Sequence, residues 1–163
     1  MSAKEIAKLG VMIALALMLS YVESLIPLSF AVPGIKMGLP NIVIVFALYQ
    51  MDWKSAIGIS LIRVLLVSLL FGNGASLIYA ASGAVLSLTV MILLKHTGSF
   101  QTITVSVCGA VFHNIGQILA AMFVLGTDKI IYYLPVLILS GVITGTLVGV
   151  VAAIVINRMR PKT

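Results

Sequence analysis

The chain has 163 residues, 61% of them hydrophobic and 9% charged, with a formal net charge of +6. Its mean hydropathy of +1.24 excludes an ordinary water-soluble domain, for which roughly 45–50% apolar residues is the norm. Apart from Arg63, the basic residues are scattered over the loops and chain ends, so their excess reports membrane topology and contact with anionic lipid, and no nucleic-acid partner is expected.

A helix needs about 20 apolar residues to cross a bilayer. Six spans can be drawn, at about 6–26, 35–51, 55–71, 75–94, 103–125 and 130–156. Between them lie short breaks rich in Gly, Pro, Asp and Lys, which leave no room for a second domain. The expectation is one integral membrane domain over 1–163, an all-α membrane protein built as a compact bundle of six transmembrane helices.

The first span opens with Lys4 and Lys8, as a signal peptide would, but "LSYVESLIP" offers no small-x-small cleavage site, so it reads as a retained helix. Ala3, Ala7, Gly10 and Ala14 form a stripe of small residues along it. Such stripes let helix backbones approach closely, so this one is a candidate docking surface for another membrane subunit. The other reading is packing within the chain.

The second span begins in "PGIKMGLPNI" (33–42). Pro33, Gly34, Gly38 and Pro40 disfavour a regular helix before Pro40, which suits a first-turn position. A helix from there to Met51 covers only about 18 Å, short of a roughly 30 Å hydrocarbon core. Its N-terminus would stop inside the membrane, where free N–H groups and the helix dipole suit an anion. Lys36 and Asn41 stand beside it. An external loop followed by a tilted helix is the plainer alternative.

The third span holds Arg63, roughly 13 Å from the cytoplasmic end at 1.5 Å per residue. A charge at that depth faces a partner or a cavity. Its planar fork fits a carboxylate or phosphate in two-point contact; a structural ion pair is the competing reading. Glu23, about 25 Å up the first span by the same rise, reaches it only if a side chain stretches or a helix tilts. "FGNGAS" (71–76), between the third and fourth spans, lacks the Lys-Ser/Thr ending of a nucleotide-phosphate loop.

The fifth span contains "VFHNIGQIL" (111–119). His113 and Gln117 are four apart and share a helix face, with Asn114 beside them. His113 lies roughly 15 Å deep, level with Arg63. Hydrogen bonds between helices would account for these groups singly; one shared site accounts for all of them. In the sixth span Gly141, Gly145 and Gly149 form a ridge suited to close packing within the bundle.

With the N-terminus inside, the cytoplasmic segments hold Lys4, Lys8, Lys54, Lys95, Arg158, Arg160 and Lys162, against Lys36 and Lys129 outside. This bias puts both termini in the cytoplasm. The expected location is the cell membrane, as a multi-pass protein of a bacterial plasma membrane. The lone Cys108 rules out a disulfide framework.

Catalytic chemistry is poorly supported. The four acidic residues, Glu5, Glu23, Asp52 and Asp128, have no metal-ligand spacing. His96 and His113 fall on different spans, a poor arrangement for a haem axial pair. No catalytic residue, metal site or cofactor is assigned.

The segments "ESLIP", "PGIKMGLPNIV", "ALYQMDWKSA", "LIRVLLVSLLFG", "GAVFHNIGQILAA" and "YYLPVLILSGVITGTLVG" resemble, in this order, the membrane family called heptaprenyl diphosphate synthase component I, or Gx transporter. That family in turn is similar to the substrate-binding S components of energy-coupling factor (ECF) transporters. The resemblance implies a six-helix protein whose first helix docks on a transmembrane coupling subunit driven by ATPase subunits. The expected function is therefore a membrane-embedded binding subunit of an ATP-driven uptake transporter for a small anionic or amphipathic metabolite, and not an enzyme. Substrate would meet Lys36, Asn41, Arg63, His113, Asn114 and Gln117. The alternatives are a non-catalytic membrane subunit of a quinone-, isoprenoid- or flavin-linked redox assembly and, more weakly, an enzyme using His113 as acid and base.

Overall fold

The computed structural model describes residues 2–26 and 37–159. They form six α-helices: α1 (Ala3–Ser24), α2 (Asn41–Gln50), α3 (Trp53–Phe71), α4 (Gly74–His96), α5 (Thr102–Leu125) and α6 (Leu134–Met159). A 3-10 segment, Asp128–Tyr133, leads into α6. No strand occurs among the described residues.

Polar residues at the breaks start the helices. Ser2 and Glu5 make a reciprocal capping box at α1, so the helix begins at Ala3, ahead of the expected residue 6. Asn73 and Ser76 do the same at α4, which explains the polar letters of "FGNGAS" as a helix start. Asp52 caps α3 by accepting from the Ser55 N–H. The Ser55 hydroxyl and N–H together hold the exposed Asp52 carboxyl below its ordinary pKa.

Five helical stretches are long and apolar enough to cross a membrane: α1, α3, α4, α5 and the run Asp128–Met159. Their outer faces are apolar too, with Phe123 89% and Leu69 70% exposed. Such a surface is what hydrocarbon would cover, and the chain reads as a multi-pass membrane protein.

The second span, drawn over 35–51, holds a helix only after Pro40, as the prolines and glycines before it led us to expect. It runs only from Asn41 to Gln50, 10 residues, which is roughly 15 Å of rise. Upstream, Gly38 takes the left-handed conformation (φ 72°), which turns the chain rather than extending a helix. The short α2 is the centre of the bundle, with Val43 through Leu48 all buried. Ala16 of α1, Ala56 and Ile59 of α3, Leu88 and Met91 of α4, Val105 of α5 and Ala152 and Ile156 of α6 pack in the same core. At its C-terminal end the Lys95 ammonium donates to the Leu48 carbonyl and lies over the Tyr49 ring. A helix ending among apolar neighbours needs such a donor for its last carbonyls.

α5 packs closely between α4 and α6, and glycine makes this closeness feasible. A Cβ on Gly145 of α6 would lie 2.7 Å from the Val107 Cα of α5, and one on Gly149 2.8 Å from the Ile103 Cα. The α6 glycine ridge thus faces inward, against α5. The small-residue stripe of α1 faces the other way: Ala3, Ala7, Gly10 and Ala14 are all exposed.

A polar cavity among the six helices

The cavity, about 250 Å³ in volume, is lined by residues of all six helices. From α1 come Ser20, Glu23 and Ser24, and from the approach to α2 and its first residue Met37, Gly38 and Asn41. α3 contributes one face through Arg63, Val64, Val67, Ser68 and Phe71. α5 contributes Ser106, Ala110, His113 and Gln117, spaced by threes and fours along one ridge, with Asn114 beside them. Ser76 and Ala80 of α4 and Thr144, Gly145 and Val148 of α6 complete the wall.

Five of the six residues singled out from the sequence thus meet here: Asn41, Arg63, His113, Asn114 and Gln117. The sixth, Lys36, lies outside the described residues. Arg63 of α3 and His113 of α5 line this one cavity from different helices.

The polar groups differ in how far the fold already uses them. Asn114 Nδ2 donates to the Leu137 carbonyl of α6 at 2.7 Å. Ser106 Oγ donates to the Gly145 carbonyl at 2.8 Å. The hydroxyls of Ser20 and Thr144 donate to the carbonyls of Ala16 and Ser140 within their own helices. The Asn114 and Ser106 bonds tie α5 to α6, whereas those of Ser20 and Thr144 stay within their own helices. Arg63 is different. The residue is half-buried, yet its Nε is wholly shielded from solvent and has no hydrogen-bond partner among the described residues. An unmet buried donor is costly, and most so on a charged group.

Glu23 also enters the cavity, and its charge acts on Arg63 across it without a hydrogen bond between the two. One carboxylate oxygen accepts from the Gly38 N–H. The next amides are used as well: Asn41 N–H donates to the Gly38 carbonyl at 2.9 Å, Ile42 N–H to Leu39 at 3.1 Å and Val43 N–H to Pro40 at 3.1 Å. This corrects the expectation of free amides awaiting an anion at the start of α2. The approach to that helix is held by the chain's own carboxylate. The interior expected to be positive holds one guanidinium and one carboxylate among the described residues.

Gly83 of α4 was not singled out from the sequence, yet it seats the α5 ridge. A Cβ there would lie 2.8 Å from the His113 carbonyl oxygen and 3.0 Å from Gln117 Cγ. On the α5 side, Gly116 meets the Gly83 Cα at 2.9 Å by the same measure. The only sequence signal was the run of three small residues in "SGA" (82–84), which by itself points to no site.

Among the described residues no three of His, Cys, Asp and Glu come together in a way that could hold a metal ion. The acidic residues lie apart: Glu5 and Asp52 cap helices, Asp128 opens the 3-10 segment, and Glu23 is in the cavity.

Residues 12–155 match the family model described as heptaprenyl diphosphate synthase component I. The chain belongs to this family. No curated protein and no solved structure matches it. The match takes in every residue that lines the cavity, from Ser20 to Val148. Of the α1 stripe it includes only Ala14; Ala3, Ala7 and Gly10 precede it.

Proposed function

We propose that this protein is the membrane-embedded, S-component-like binding subunit of an ATP-driven uptake transporter, taking up a small anionic or amphipathic metabolite. The observation that carries the reading is Arg63: a guanidinium on the wall of a cavity inside an apolar bundle, whose shielded Nε has no partner among the described residues. A ligand carboxylate or phosphate is the acceptor that best fits the planar fork of a guanidinium lining the cavity. Asn41, His113, Asn114 and Gln117 would orient the rest of the molecule, with Lys36 assigned from the sequence alone.

The binding subunit is not itself an enzyme in this account. ATP hydrolysis belongs to partner ATPases, because the chain has no nucleotide-phosphate loop. The exposed stripe Ala3, Ala7, Gly10 and Ala14 on α1 would dock a transmembrane coupling subunit, small residues allowing close approach within lipid. The family's description as a "component" supports membership of an assembly. The excess of Lys and Arg on one set of segments supports cytoplasmic termini in a plasma membrane, with the cavity in the outer half.

A second reading is favoured by that same description: a non-catalytic membrane subunit of an isoprenoid- or quinone-linked assembly. Purification of the tagged chain from its native membrane in mild detergent separates the two. Mass spectrometry of the preparation should find a polar small molecule, together with a membrane coupling protein and ATPases. A prenyl chain or quinone, accompanied by prenyl-transfer or redox subunits, would overturn the transporter reading.

A further inference from the structure

The pairing of charges in the cavity narrows the ligand class. A ligand carrying only negative charge would sit in a low-dielectric space beside the Glu23 carboxylate, and like charges there repel more strongly than in water. A ligand carrying only positive charge meets the same objection from Arg63. The two side chains face one cavity and act on each other as charges, without a hydrogen bond between them. Arg63 Nε lacks an acceptor among the described residues. Glu23 makes its bond to the Gly38 N–H through Oε1, and a carboxylate has roughly four lone-pair sites over its two oxygens.

Resting on the ligand-binding reading above, we propose that the cavity takes a small zwitterion. Its anionic group would occupy Arg63 and its ammonium group Glu23, so that the molecule completes the interrupted ion pair. Each half-buried charge then acquires a partner at contact distance, which is how charges removed from water are ordinarily accommodated. The volume of about 250 Å³ lies below the roughly 300–1,000 Å³ usual for drug-sized ligands, consistent with an amino-acid-sized molecule. Gln117 and Asn41 offer both donors and acceptors to whatever lies between the charged ends.

The test uses the purified full chain in detergent and three size-matched probe series, based on leucine, phenylalanine and γ-aminobutyrate. Each series contains the amino acid, the acid lacking its amino group, and the amine lacking its carboxylate. Thermal stabilisation and affinity are measured for the unaltered protein and for Glu23→Gln. Glutamine keeps an oxygen to accept the Gly38 N–H, so the variant loses charge without losing the bond, and its melting temperature without probe checks this. In at least one series the zwitterion should stabilise most. Glu23→Gln should weaken that binding by on the order of tenfold, the size of one charge-assisted contact, and should improve binding of the matching acid. Equal or better stabilisation by the acid alone, an unchanged preference in Glu23→Gln, or no stabilisation by any amino acid would overturn the proposal. The ligand-binding reading fails separately, if native preparations of the protein contain no bound small molecule at all.

Discussion

The Glu23 carboxylate at the end of α1 accepts a hydrogen bond from the N–H of Gly38, where the chain turns into α2. The bond ties the rim of the cavity to the helix at the centre of the bundle, and it places a negative charge opposite Arg63. Structure and the proposed ligand preference therefore converge on one side chain, and substitutions can separate them.

Glu23→Ala should lower the melting temperature, because the part-buried Gly38 N–H loses its acceptor at a cost of about 1–3 kcal/mol. Glu23→Gln should melt close to the unaltered protein. Equal destabilisation by the two substitutions would assign the effect to charge rather than to the hydrogen bond.

Gly83→Ala should destabilise the bundle by about 1–3 kcal/mol, the usual cost of an extra methyl in a filled interior, since its Cβ would lie 2.8 Å from the His113 carbonyl oxygen. It should also displace Gln117 and weaken ligand binding. Gly10→Ala, by contrast, meets nothing within 4 Å and should leave the isolated chain as stable as before or slightly more so. Paired thermal melts decide whether the contrast holds.

Gly10→Leu should leave folding and ligand binding of the isolated chain unchanged while preventing co-purification of the proposed coupling subunit. The motive is an exposed small-residue face on α1, where a bulky side chain fills the space that another helix backbone would enter. Retention of the partner at normal stoichiometry would remove α1 from the docking surface.

Asp52 gives a pH dependence of definite sign. The hydroxyl and N–H of Ser55 hold its carboxyl below the ordinary value in the folded chain. The ionised cap therefore adds stability above the unfolded carboxylate pKa of about 3.9, and this is lost as pH falls through the lowered folded value. Relative to Asp52→Asn, which caps α3 without ionising, the unaltered protein should lose melting temperature between pH 6 and pH 3. Parallel curves for the two proteins would contradict this.

Much of this arrangement was legible beforehand. Long apolar runs require helices, and the polar and glycine-rich breaks marked where they end; that Asn73 caps α4 was not read from "FGNGAS". The depth estimate put Arg63 and His113 together because both are reckoned along helices from the same side of the membrane. The same arithmetic separated Glu23 from Arg63, because height along one helix axis carries no account of helix tilt or of the cavity's extent. It could not foresee that α2 would be the buried centre, since an apolar decamer has the same letters whether it faces lipid or other helices. Nor could it foresee the amides of the α2 approach, whose partners are set by the turn at Gly38. Gly83 was invisible for a simpler reason: its function is the absence of a side chain.

The central claim concerns Arg63, and it is tested most directly by measuring bound ligand and thermal stability on the same preparations of unaltered protein, Arg63→Ala and Arg63→Lys. The ligand measured is the small molecule that co-purifies, quantified by native mass spectrometry. Two charge-assisted contacts of about 1.5–3 kcal/mol each are removed in Arg63→Ala, so its occupancy should collapse. Its melting temperature without ligand should change little, because the Nε has no partner among the described residues to strand. Arg63→Lys should recover only part of the occupancy, as an ammonium cannot reproduce the planar fork. A strongly destabilised Arg63→Ala that retains its full complement of ligand would contradict the account.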